Sequence, residues 1–229
     1  LASHALDGPT RWTALMNMLF GQVMLADLTG IEEPIETMAT MLDSVAPNRP
    51  EGVDLYRALE AAAKALSGDL VGCEAEFVAH VERCVEAEKL HGITAAILVQ
   101  PLLYRGSQDA VAMARAACKD MSRSDPFLAG PIANAGLTLA LTQAGDLDRA
   151  RMALAEIDPT PTGDHRLDGF TGRAAAAVLA LEGKRDEAAE TAGEVGRRCI
   201  AGTYVQLGML ALYDAVRFGR ADLVVDDMR

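Results

Sequence analysis

Aromatic side chains are scarce in this chain: five phenylalanines, four tyrosines and one tryptophan among 229 residues. Aromatic and β-branched residues favour sheets, whereas alanine and straight-chain residues lose little entropy on entering a helix. With 41 alanines beside so few aromatics, the composition argues for an all-helical protein. Basic charge is also short, with 21 Lys and Arg against 33 Asp and Glu and a net charge of −12. Binding a phosphate backbone needs a basic patch that releases counterions, so direct contact with nucleic acid is disfavoured. No apolar run reaches the ~20 residues of a membrane span, and no signal peptide opens the sequence, so no membrane association is expected. Cysteine occurs only at positions 73, 84, 118 and 199, with no CxxC pair and no compact disulfide framework. A reduced, cytoplasmic setting follows. The first residue is Leu1 rather than Met, which reads as an excerpt from a longer chain.

What the sequence does have is a period. Glycines at 30, 68, 106, 145, 183 and 219 are spaced by 38, 38, 39, 38 and 36 residues, and each divides two helical stretches. A period of this size marks a helical-hairpin solenoid, and glycine suits the left-handed position that ends a helix. Six antiparallel hairpins are expected. The clearest copies are L-A-L-T-Q-A-G-D-L-D-R-A-R (139–151), L-A-L-E-G-K-R-D-E-A-A (179–189) and K-A-L-S-G-D-L-V-G-C-E-A-E-F (64–77). Five places after the glycine stands a small or apolar residue, Ala150, Ala188 or Cys73, which lets the two helices of a hairpin approach closely.

These copies resemble the tetratricopeptide repeat (TPR), with glycine at the turn and alanine five on. Here the period exceeds the usual ~34 residues, and the Trp/Tyr pattern early in the standard repeat is mostly missing. The resemblance implies a right-handed TPR-like superhelix of about six hairpins, an α-solenoid. Breakers fall between hairpins, at Pro47–Pro50, Ser124-Asp125-Pro126 and 158–164, while Pro101 is expected to shorten or kink the helix before Gly106. Beyond Gly219 only ten residues remain, so the sixth hairpin reads as cut short, with an apolar stripe that would favour homo-oligomerisation. Nothing in the sequence divides the chain, which reads as one repeat domain over 1–229.

Reactive chemistry is mostly missing. Cys73, His80 and Cys84 share a helix face with Phe77, and His91 follows. Two thiols and imidazoles suit a metal, but the same positions are those where a TPR hairpin buries small residues, and the buried reading is favoured. No G-x-S-x-G, no phosphate-binding G-x-x-x-x-G-K-[ST] and no Rossmann glycine fingerprint occurs. Leu181-Glu182-Gly183-Lys184 is a repeat turn, and Asp226-Asp227 lacks a further aspartate. Glu32-Glu33 suits the first turn of a helix, where acidic charge meets the positive end of the dipole. A non-catalytic chain without metal or cofactor is expected.

By resemblance to TPR arrays, the first helix of each hairpin lines a concave groove. Counting back from each glycine gives Asn17, Phe20, Met24 and Asp27 from the first repeat, and Ala58, Ala62 and Ala65 from the second. Gln100 and Tyr104 come from the third, and Ile132, Leu139, Thr142 and Gln143 from the fourth. Phe170 and Arg173 belong to the fifth, with Gln206, Met209, Tyr213 and Arg217 from the sixth. Apolar walls with a few polar groups suit a small ligand or the side chains of a peptide. Arg173 is suited to a carboxylate or phosphate. Core packing competes for Leu139, Phe170 and Met209, and a solvated surface competes for Gln100, Gln143 and Arg173.

The stretch Leu210-Ala211-Leu212-Tyr213-Asp214-Ala215-Val216-Arg217-Phe218-Gly219-Arg220-Ala221-Asp222-Leu223-Val224, with Ala174–Ala180 and the 182–189 turn, carries a second likeness. It is similar to the helical-repeat region of large ATP-dependent LuxR-family transcriptional regulators of the maltose-regulator type. In that family an ATPase precedes the repeats and a helix-turn-helix follows them. The likeness implies a regulatory sensor module of a bacterial transcriptional regulator, whose groove takes a small effector or a partner protein. A general TPR adaptor between proteins is the alternative.

Overall fold

The structure, a computed structural model, describes residues 7–25, 27–45, 47, 50–69, 72, 99, 103, 106, 109–123, 130–158, 160 and 162–228. Among these residues all regular structure is helical. The helices are α1 (Gly8–Leu25), α2 (Glu32–Val45), α3 (Pro50–Leu66), α4 (Asp109–Met121), α5 (Gly130–Gln143), α6 (Leu147–Ala155), α7 (His165–Leu181), α8 (Arg185–Ala201) and α9 (Val205–Arg217), followed by a 3-10 turn at Ala221–Leu223. No described helix is long and apolar enough to cross a membrane. The chain forms two compact units, Leu1–Lys89 and Leu90–Arg229.

All six periodic glycines adopt positive φ, between 65° at Gly30 and Gly106 and 99° at Gly219. The reason is visible at Gly145. Its N–H donates to the Thr142 carbonyl (3.1 Å) and the Asp146 N–H donates to the Leu141 carbonyl (2.9 Å). This pair of bonds closes a helix only when the residue between is left-handed, which a Cβ penalises. The same pair recurs at Gly68, Gly183 and Gly219. Complete hairpins surround Gly30 (α1/α2), Gly145 (α5/α6) and Gly183 (α7/α8). Among the described residues after Gly219 the one helical element is the 3-10 turn, and Val224 is buried against the core of α8 and α9, with Leu223 and Met228 packed beside it. Those residues cover apolar surface that the sequence left open.

In the first unit α1, α2 and α3 pack against one another around Trp12, Leu19, Met38, Tyr56 and Leu59. The rings of Trp12 and Tyr56 meet at 5.8 Å between centroids, and the Tyr56 hydroxyl donates to the Ile35 carbonyl (3.2 Å). The chain's one tryptophan is thus a core residue of this unit. Glu32 and Glu33 stand in the first turn of α2, as the dipole argument requires. Pro50 opens α3, a position that has no amide bond to lose.

In the second unit α5 is apolar nearly all round and packs against α4, α6 and α7. Its buried Thr138 is satisfied by donating to the Asn134 carbonyl (2.9 Å). Helix α7 packs on α5, α8 and α9, and α8 on α9. Ala150 and Ala188, five places after their glycines, are fully buried, so the small residue serves close packing as expected.

Helix α7 starts from a braced loop. Asp164 caps it by accepting from the Arg166 and Leu167 N–H groups (2.9 and 3.4 Å). The Asp168 carboxylate reaches back to accept from the Thr162 N–H and hydroxyl (both 2.9 Å) and the Gly163 N–H (3.3 Å). Burial pushes the Asp168 carboxyl up, but these donors and the Arg198 charge outweigh it and hold the pKa below the ordinary value. Because the folded value is depressed, the stabilisation is complete above the unfolded value of ~3.9 and is lost as pH falls through the folded one. Asp168→Asn is expected to cost about 1 kcal/mol at pH 7, with the difference from the parent shrinking in urea titrations near pH 3.

Candidate functional site

One cleft of about 950 Å³ opens in the second unit, within the size range of pockets that take small molecules. Its walls come from the ends of successive helices. Leu103 and Gly106 line one side, followed by Leu139, Thr142 and Gln143 of α5 and Arg173, Ala177, Ala180 and Leu181 of α7. Arg185, the first residue of α8, and Leu210, Tyr213, Asp214, Arg217 and Phe218 complete it. The register repeats. Positions six before the turn glycine supply Leu139, Ala177 and Tyr213, and positions two before it supply Gln143, Leu181 and Arg217. The hairpin period therefore sets equivalent residues side by side. Gln143 also ties the walls together, its Nε2 donating to the Leu103 carbonyl at 3.1 Å.

The polar centre of the cleft is an ion pair. Arg173 and Asp214 are only 6% and 5% exposed, and Nε of Arg173 donates to Oδ2 of Asp214 at 2.8 Å. Arg217 approaches the other carboxylate oxygen at 3.6 Å and is half-exposed. Nη1 of Arg173 is buried and has no acceptor among the described residues. A buried donor without an acceptor costs roughly 1–3 kcal/mol. Around this centre lie Tyr213, 54% exposed, and the exposed Leu181.

Six of the groove residues expected from the sequence, Leu139, Thr142, Gln143, Arg173, Tyr213 and Arg217, are brought together here. Leu139 is buried at the wall, so it packs in the core and lines the cleft at once, and Arg173 is buried and paired rather than solvated. Phe170, Gln206 and Met209 do not line the cleft. Phe170 is buried within α7, Gln206 is partly exposed on the first turn of α9, and Met209 packs on the core formed by α8 and α9. Ile132 is also buried outside the cleft. Gln100 and Tyr104, the cysteine and histidine positions 73, 80, 84 and 91, Phe77, Pro101 and the 124–126 linker lie outside the described residues, and of Met24 only its helical backbone in α1 is described. In the first unit Asn17 and Asp27 are exposed, Phe20 is half-buried, and Ala58, Ala62 and Ala65 are core. Sequence reasoning missed Arg185 and Asp214. The only signal for Asp214 was its place three residues before Arg217, a spacing that sets two side chains on one helix face.

Other reactive groups are engaged elsewhere. The Cys199 thiol donates to the His165 backbone carbonyl (3.5 Å), and burial pushes its pKa up. Burial likewise pushes the Cys118 thiol up to about 11. Neither is an activated nucleophile. Among the described residues no group of three or more His, Cys, Asp and Glu is placed to hold a metal ion. A second hollow of about 160 Å³, beside Asp168 and Arg198, is too small for most metabolites. No family model, curated protein or solved structure matches the chain.

Proposed function

We propose that the chain is a non-catalytic sensor module that binds a small effector in the α5/α7/α9 cleft, as the repeat region of a cytoplasmic LuxR-family transcriptional regulator would. The observation that supports this reading is the cleft itself, of metabolite size, with apolar walls and polar groups gathered at Arg173, Asp214 and Gln143. The resemblance of the 210–224 segment supports the regulator assignment. An effector acts by binding two arrangements of the helices with different affinity, which shifts their populations. Because α5, α7 and α9 each contribute a wall, a bound molecule senses their relative placement directly.

A thermal-shift screen of the chain against sugars, nucleotides, organic acids and peptides tests this. Effector at ~100 times its dissociation constant adds about 2.7 kcal/mol of stability. The expected result is a saturable hit that weakens in Gln143→Ala and Tyr213→Ala, both at exposed positions. A screen in which only peptides bind would favour the adaptor alternative. No hit of either kind would overturn the proposal.

A further inference from the structure

The chain carries a net charge of −12, yet the cleft reverses that sign: its charged wall residues are Arg173, Arg185 and Arg217 against Asp214 alone. From this and from the state of each arginine we infer that the cleft takes a small organic dianion, a phosphate monoester or a dicarboxylate. The inference rests on the effector reading above and names the ligand's chemical class.

Arg173 is the strongest indication. Its side chain is more than nine-tenths buried, its Nε is committed to Asp214, and its Nη1 has no acceptor among the described residues. An anionic oxygen that displaces the atoms covering Nη1 supplies the missing acceptor, and a charge-assisted bond of that kind is among the stronger ones. Asp214 holds the Arg173 and Arg217 guanidiniums on its two oxygens, so both are oriented before any ligand arrives.

Arg185 adds an independent observation. It is the first residue of α8, and its side chain makes no ion pair or hydrogen bond among the described residues. Asp186 and Glu187 share that first turn and meet the positive end of the helix dipole, but among the described residues neither pairs with Arg185, which is exposed and lines the cleft as a free cation. The residue before it, Lys184, provides no side-chain cap for that first turn. Capping of helix ends accounts for little of this positive charge, since three of the last four carbonyls of each of α5, α7 and α9 already accept from the turn amides after them. Three guanidiniums against one carboxylate leave two positive charges, matching a dianion. Tyr213, Leu181 and Leu210 offer apolar surface for an organic body.

Calorimetric titration of the chain with phenyl phosphate, succinate and benzyl alcohol tests the assignment. The expected result is saturable binding of at least one anion, weakening as salt is added, with benzyl alcohol at least about tenfold weaker. Arg185→Gln and Arg217→Gln are each expected to weaken that anion about tenfold with unchanged circular dichroism. The tighter of the two anions identifies the head group as phosphate or carboxylate. Equal binding of benzyl alcohol, an unchanged Kd in Arg185→Gln, or no binding of either anion overturns the dianion assignment. A neutral metabolite that saturates parent and Arg185→Gln alike would overturn it while leaving the effector reading standing. Failure of every compound in the broader screen would remove both.

Discussion

Asp214→Ala is expected to cost the second unit about 3–5 kcal/mol, because it strands the buried Arg173 guanidinium without its counter-charge. The pair joins α7 to α9 across 41 positions, with both side chains 7% exposed. A guanidinium stranded there cannot shed its charge, so the penalty persists at any working pH. The pair as a whole contributes far less, since its attraction mainly offsets the desolvation of two charges. The double variant Arg173→Met/Asp214→Leu is therefore expected to recover most of the lost stability. Urea denaturation of the three variants measures this directly. A loss below 1 kcal/mol for Asp214→Ala would show that the pair is effectively solvated.

The second large effect lies where α8 crosses α9. A Cβ on Gly208 would stand 2.8 Å from the Gly196 carbonyl oxygen and 2.6 Å from Cγ1 of Ile200; one on Gly196 would meet the Gly208 carbonyl at 3.0 Å. Backbone oxygens cannot rotate aside as a side chain does, so the helices must separate. Overpacking costs typically 1–3 kcal/mol, and with backbone on both sides the upper end applies. Alanine's helix preference over glycine returns ~1 kcal/mol, leaving a net loss of about 2 kcal/mol for Gly208→Ala. Gly21 in α1 has nothing within 4 Å of its Cβ position. There Gly21→Ala is expected to stabilise by ~0.5–1 kcal/mol. Opposite signs for one chemical change separate close approach from propensity, and thermal denaturation of both variants reads them.

The helical class and the turns were legible in the sequence because their causes are local. A left-handed helix end selects glycine wherever it occurs, so the period at Gly30, Gly68, Gly106, Gly145, Gly183 and Gly219 could be read before any packing was known. The cleft was half legible for the same reason. Residues within two turns of a glycine, such as Leu139, Gln143 and Tyr213, are placed reliably by counting back from it. Phe170 and Gln206 stand thirteen residues before their glycines, near the starts of α7 and α9, where the helices have left the cleft. What the sequence did not disclose is pairwise. Nothing near Arg173 announces Asp214, and nothing in G-R-R-C or Q-L-G-M announces that Gly196 and Gly208 touch. Those depend on the crossing of two helices, which no single stretch encodes.

That the α5/α7/α9 cleft is the effector site is tested most directly by methyl NMR of leucine-labelled chain. The spectra would be titrated with the tightest compound from the screen. Shifts concentrated on Leu139, Leu181 and Leu210, which line the cleft, with Leu59 of the first unit's core unmoved, are the predicted result. Saturable shifts centred on the first unit, with those three leucines unchanged, would contradict it.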